Sequence, residues 1–132
     1  MFGYSAWLVA ERRAAGQAAP TYLYRCDWRR PGSEGERIGA AHGEEVRLLL
    51  GHLVPTADPA EAARTEHMRN ILMATWASFA RTGRPQDADL PAWPAYGLGR
   101  RTQMVLDQRP HLAAAPAPAD MVLVARLPAF HP

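Results

Sequence analysis

The imidazole, serine and thiol side chains of this 132-residue sequence, candidates for a catalytic base or nucleophile, are few: five histidines, three serines and one cysteine. Their chemistry would be proton transfer for the imidazoles and covalent attack for the hydroxyls and the thiol. His42 lies in a glycine-rich stretch, Gly39-Ala40-Ala41-His42-Gly43, followed by Glu44 and Glu45. By spacing alone, a lone histidine in such a loop reads as a solvated or hydrogen-bonded side chain. His52, His67, His111 and His131 show no metal-pair spacing such as H-E-x-x-H and read as surface residues. Cys26 falls in the middle of an expected strand with no histidine beside it, so it reads as a small hydrophobe rather than a nucleophile. A single cysteine also excludes an internal disulfide framework and a multi-cysteine zinc site. Neither a metal nor a cofactor is expected.

The serines fare no better against the G-x-S-x-G elbow, which holds a nucleophile at a sharp strand-to-helix turn. Gly3-Tyr4-Ser5-Ala6-Trp7 lacks the final glycine and sits inside an expected helix, Ser33 sits in a loop, and Ser78 follows helical residues.

The elements around these residues can be read from pattern and punctuation. Residues 3–15 predict a helix stopped by Gly16. Residues 21–28, Thr-Tyr-Leu-Tyr-Arg-Cys-Asp-Trp, predict a strand between Pro20 and Pro31-Gly32. Tyr22, Tyr24 and Cys26 would share one face, with Leu23, Arg25 and Asp27 on the other. Residues 31–43 predict a loop. Residues 44–53 are ambiguous and read as a short helical turn with Glu44 and Glu45 at its positive end. The clearest helix is 59–82, with Asp58 as N-cap, Pro59 in the first turn, Glu61 three residues after the cap and Gly83 as the stop. Met68, Leu72, Trp76 and Phe79, with Ile71 and Thr75 beside them, make its apolar stripe. A Pro/Gly-rich loop covers 84–102. Residues 104–107 predict a short strand, 113–119 an Ala/Pro linker, and 121–127 a last strand.

Composition narrows the class. Apolar residues at 48% and charged residues at 21% fit a globular chain rather than a disordered one. All 15 basic residues are Arg, but they are scattered and the net charge is only +2, so no basic stripe marks a nucleic-acid binder. No apolar run approaches the ~20 residues of a spanning helix, so no membrane association is expected. The first ten residues lack the basic region of a secretory signal. That fits a cytoplasmic chain, and equally a chain whose true N-terminus lies upstream.

Three stretches, in order, carry a resemblance. They are Tyr22-Leu23-Tyr24-Arg25-Cys26-Asp27-Trp28, then Gly39-Ala40-Ala41-His42-Gly43-Glu44-Glu45, then Trp76-Ala77-Ser78-Phe79-Ala80-Arg81-Thr82-Gly83-Arg84-Pro85 with Leu90-Pro91-Ala92-Trp93-Pro94. Together they resemble the C-terminal part of type B carboxylesterases, the group of para-nitrobenzyl esterases and cholinesterases. The resemblance implies an α/β fold, namely the C-terminal portion of an α/β-hydrolase: a late sheet strand, a histidine loop and a long amphipathic helix, incomplete as a sheet on its own. It implies that residues 1–112 belong to the esterase domain, with 113–132 as a linker and short tail. It also implies that His42 is the catalytic general base, taking a serine's proton and returning it to the leaving alcohol while an acid orients the ring. The neighbouring glycines would then let the ring approach a strand-helix turn without clashes. Glu45 falls where the family commonly has Glu, and either holds the loop or lines the site; Glu44 has no such counterpart. Cys26 replaces a usual aromatic. Arg47, Leu48 and Leu50 replace a proline and aromatics, which would reshape the pocket wall.

The triad order, serine then acid then histidine, puts the other two members upstream of His42, and neither they nor an oxyanion-hole motif is found. The chain therefore reads as the His-bearing segment of a carboxylic-ester hydrolase, inactive alone, whose intact form takes a small-molecule ester and needs an N-terminal lobe. The alternative is a non-catalytic module that folds alone or complements another chain.

Overall fold

The computed structural model describes residues 2–16, 19–117 and 119. In chain order these form α1 (Phe2–Ala15), β1 (Tyr24–Cys26), α2 (Gly32–Ile38), α3 (Glu44–Leu49), α4 (Pro59–Thr82), β2 (Thr102–Leu106) and β3 (His111–Ala114). The strands make one sheet in the order β1-β2-β3. β1 and β2 run parallel, with Tyr24, Arg25 and Cys26 opposite Met104, Val105 and Leu106. Parallel neighbours need a long crossover, and this one carries α2, α3 and α4. Every residue of β2 is buried, as for a strand covered on both faces. The architecture is a part of an α/β fold.

Contacts divide the chain into two compact units. The larger, Tyr24–Trp93 with Met104–Leu112, has a core of Trp28, Leu48, Met68, Leu72, Met104 and Leu106, with Tyr24, Cys26, Trp76 and Trp93 packed against it. α3 packs on α4. α4 begins as its sequence predicts: Asp58 accepts from the Ala60 N–H at 2.8 Å, and the Thr56 hydroxyl links the Asp58 N–H to the Glu61 carboxylate. It ends at Gly83, whose left-handed φ of 71° a side chain would resist.

Thr75 of α4 is fully buried, and its hydroxyl has no hydrogen-bond partner among the described groups. By contrast, Thr65 and Thr82 both donate to the carbonyl four residues back. An orphaned buried hydroxyl is a cost that an isosteric apolar side chain removes. Thr75→Val is expected to stabilise the protein by about 1 kcal/mol. A denaturant titration with an unchanged or lower midpoint would contradict this.

The smaller unit combines the described residues up to Leu23, Pro94–Gln103 and those from Ala113 onward. Ala10 and Ala14 of α1 pack with Leu23, Tyr96 and Ala115. A polar clamp ties α1 to the 94–103 segment. Arg101 grips Glu11 through Nε at 2.8 Å and Nη2 at 3.0 Å, and the Tyr96 hydroxyl donates to the same carboxylate. Hydrogen bonding from Arg101 holds the Glu11 carboxyl below its ordinary value of 4.5, partly offset by burial and helped by Tyr96. A carboxyl with a depressed folded pKa stabilises the fold above its unfolded value and loses that contribution as pH falls through the folded one. Amide exchange in α1 should therefore accelerate in Glu11→Gln at neutral pH. The gap between variant and wild type should close as pH falls below about 4.5; a gap that widened on acidification would contradict the clamp.

Several sequence expectations are corrected. The strand predicted over 21–28 contracts to 24–26, because β2 offers partners only there; one further bond, Asp27 N–H to the Leu106 carbonyl at 2.9 Å, extends the pairing. The predicted loop over 31–43 contains α2. On α4, Phe79 is 49% exposed, and the buried side is completed by Ser78, which donates to the Arg84 carbonyl. β3 runs into the Ala/Pro stretch, with Ala113 and Ala114 in the strand. The strand expected over 121–127 lies outside the described residues.

Candidate functional site

His42 is exposed on the larger unit, in the turn that leads into α3. The turn is closed by the Glu44 N–H donating to the Ala41 carbonyl at 3.4 Å. Gly43, with φ 83° and ψ 5°, has the values required at the third position of a type II turn. Gly39, with φ 76° and ψ −151°, occupies a region open essentially to glycine alone. The glycines that the sequence put around His42 are thus backbone pivots on both sides of it.

Of the two carboxylates after His42, Glu44 is anchored. The Glu44 side chain is only 6% exposed and forms an ion pair with Arg30, which also holds Glu34 at 3.1 Å. Glu45 lies against Tyr24 of β1. Burial pushes the Tyr24 hydroxyl above its usual range, and the charges of Glu45 and Cys26 and a hydrogen bond to Glu45 raise it further. The Tyr24 ring is wedged edge-on against Trp76 at 5.2 Å and Trp93 at 6.4 Å. Burial, with the charges of Glu45, Asp27 and Glu44, pushes the Cys26 thiol up to about 11 against a backbone hydrogen bond at Trp28. At neutral pH it is therefore a thiol, and it packs against the core as the sequence predicts.

The serines and the other histidines lie in other segments of the chain. Ser5 lies in α1, Ser33 near the start of α2 and Ser78 within α4, none at a sharp strand-to-helix turn. His67 stands 3.9 Å from Asp89, and His111 3.8 Å from Asp107, all largely at the surface. Among the described residues no group of three or more His, Cys, Asp or Glu could hold a metal, and no helix is long and apolar enough to cross a membrane. A cleft of about 180 Å³ opens beside Trp28, Arg30 and Arg64, but His42 does not line it. Sequence reasoning missed Arg30 and the burial of Glu44. The one local signal was the i,i+4 spacing of Arg30 and Glu34.

The sequence profile of the carboxylesterase family matches residues 1–121. The chain belongs to the carboxylesterase family. This carboxylesterase chain is 35% identical over 100 residues to liver carboxylesterase 1 of Oryctolagus cuniculus, covering 73% of itself and 17% of that protein. It is 34% identical over 79 residues to carboxylesterase 4A of Bos taurus, covering 58% of itself and 14% of that protein. It superimposes on a solved carboxylesterase of Geobacillus stearothermophilus with a TM-score of 0.64 at 29% identity, over 86% of this chain and 23% of that one. A thermophilic PNB esterase gives a TM-score of 0.67 at 21% identity, a likeness of fold, over 86% of this chain and 23% of that one. The neighbours are α/β-hydrolases, and the three-stranded sheet with its helices is a portion of that fold. The chain spans about one sixth of the length of these curated relatives.

Proposed function

We propose that this chain is the histidine-bearing part of a serine carboxylic-ester hydrolase, with His42 as general base and acid. A serine and an orienting acid from the rest of an esterase domain would complete the triad. His42 would take the serine's proton as the hydroxyl attacks the ester carbonyl, then return it to the leaving alcohol. A second proton transfer, from water, would release the acyl group. The observation that carries this reading is the His42 turn itself. In a chain of this family, an exposed imidazole stands between two glycines of left-handed φ and is followed by Glu44, a buried carboxylate anchored on Arg30.

The chain alone is expected to leave an aryl ester unhydrolysed above the buffer rate. Co-expressed with a carboxylesterase segment carrying a G-x-S-x-G elbow and an acid, it is expected to give steady turnover. Turnover by the purified chain alone, or none with any such segment, would sink the proposal. The alternative, a non-catalytic module that pairs with another chain, draws on the exposed apolar side chains of Val46 in α3 and Leu50 just after it. Under that reading the co-expressed complex forms but stays inactive.

A further inference from the structure

We propose that the Arg30–Glu44 ion pair is the positioning element of the His42 turn, fixing where this chain presents its imidazole. The inference rests on the reading of His42 as the base.

Glu44 follows His42 by two residues, and its backbone closes the turn while its side chain is drawn into the larger unit. A carboxylate that little exposed is tolerated only when paired, and pairing fixes geometry more than it adds stability. Its partner stands on a firm base. A Cβ at Gly35 would come within 1.8 Å of the Arg30 carbonyl oxygen, so α2 is pressed directly on the Arg30 backbone. From there the guanidinium reaches Glu34 in α2 and Glu44 in α3, bridging the two helices on either side of the His42 stretch.

The bond that closes the turn is long at 3.4 Å, whereas its two ends are tied into the flanking helices: the Gly39 N–H donates to the Gly35 carbonyl at 2.8 Å, and the Gly43 carbonyl accepts from the Arg47 N–H at 3.2 Å. α3 packs on α4, and that packing would keep the helix in place. The expected consequence of losing the pair is therefore local: the turn loosens while the fold stands.

The test uses the full 132-residue chain and backbone NMR relaxation. In Glu44→Gln and in Arg30→Gln, order parameters of Ala41–Gly43 are expected to fall from about 0.85 toward 0.6, with those of α4 unchanged. The His42 ring signal should move while those of His52, His67 and His111 stay. The double variant should be no worse than either single one, and Arg30→Lys, which keeps the charge but not the two-armed guanidinium, should retain more of the order than Arg30→Gln. Unchanged order in Ala41–Gly43, or a disturbance shared equally by α4 and by His42, His52, His67 and His111, would overturn the proposal. An ester-hydrolysing complex that survives His42→Ala would instead remove the role of His42 and leave the relaxation result standing, so the two failures are distinguishable.

Discussion

In an esterase completed by this chain, His42→Ala is expected to lower kcat/KM by about four to six orders of magnitude. A serine hydroxyl is a weak nucleophile at neutral pH without a base to take its proton, and the same imidazole must return that proton to the alcohol. Its removal therefore damages both halves of the cycle. The loss should fall on kcat with KM little changed, because the imidazole acts in the transition state and contributes little to ground-state binding. His52, His67 and His111, which lie in other segments of the chain, serve as controls, and their alanine variants should keep near-normal rates. A loss of less than tenfold in His42→Ala would remove His42 from the triad.

The second large effect is on stability. Gly35→Ala is expected to destabilise the larger unit by about 3 kcal/mol. A helix usually gains up to about 1 kcal/mol when an interior glycine is replaced by alanine, and Gly35 lies inside α2. Here the sign reverses. The added methyl carbon would sit 1.8 Å from the Arg30 carbonyl oxygen and 2.8 Å from its carbonyl carbon. Those are backbone atoms, so no rotamer change relieves the clash, and α2 must move off the segment that follows β1. At Gly3, in α1, an added Cβ would have nothing within 4 Å, so Gly3→Ala should be neutral or slightly stabilising. Denaturant midpoints of the two variants compare them directly; a Gly35→Ala midpoint at or above wild type would refute the packing argument.

What could be read from the sequence depended on how local each cause is. α4 was legible because Asp58, Pro59 and Gly83 mark its ends within the segment itself. β2 and the short α3 were also anticipated, from an apolar run and from paired acids at a helix start. α2 was hidden because Pro31 and its glycines signal a loop, whereas Gly35 is there to let the helix lie against Arg30. β1 was overextended because strand length is set by its partner, and β2 meets it at only three residues. The Arg30–Glu44 pair was out of reach, since nothing in either residue's neighbourhood says that a carboxylate beside His42 will be drawn inward. Phe79 suited the helical stripe, yet Ser78 took the inward position by bonding to the chain beyond the helix end.

The pairing of Tyr24 with Met104 also has a consequence in time. During synthesis the ribosome releases β1 long before its neighbour in the sheet exists. Closing so wide a gap in the sequence carries an entropic penalty that must be met before any strand contact rewards it. α3 and α4, close in sequence and packed together, can dock early. Until Met104–Leu106 emerge, the nascent chain would hold a histidine turn and a helical pair with an unpaired strand end waiting beside them, a state that invites capture by a chaperone.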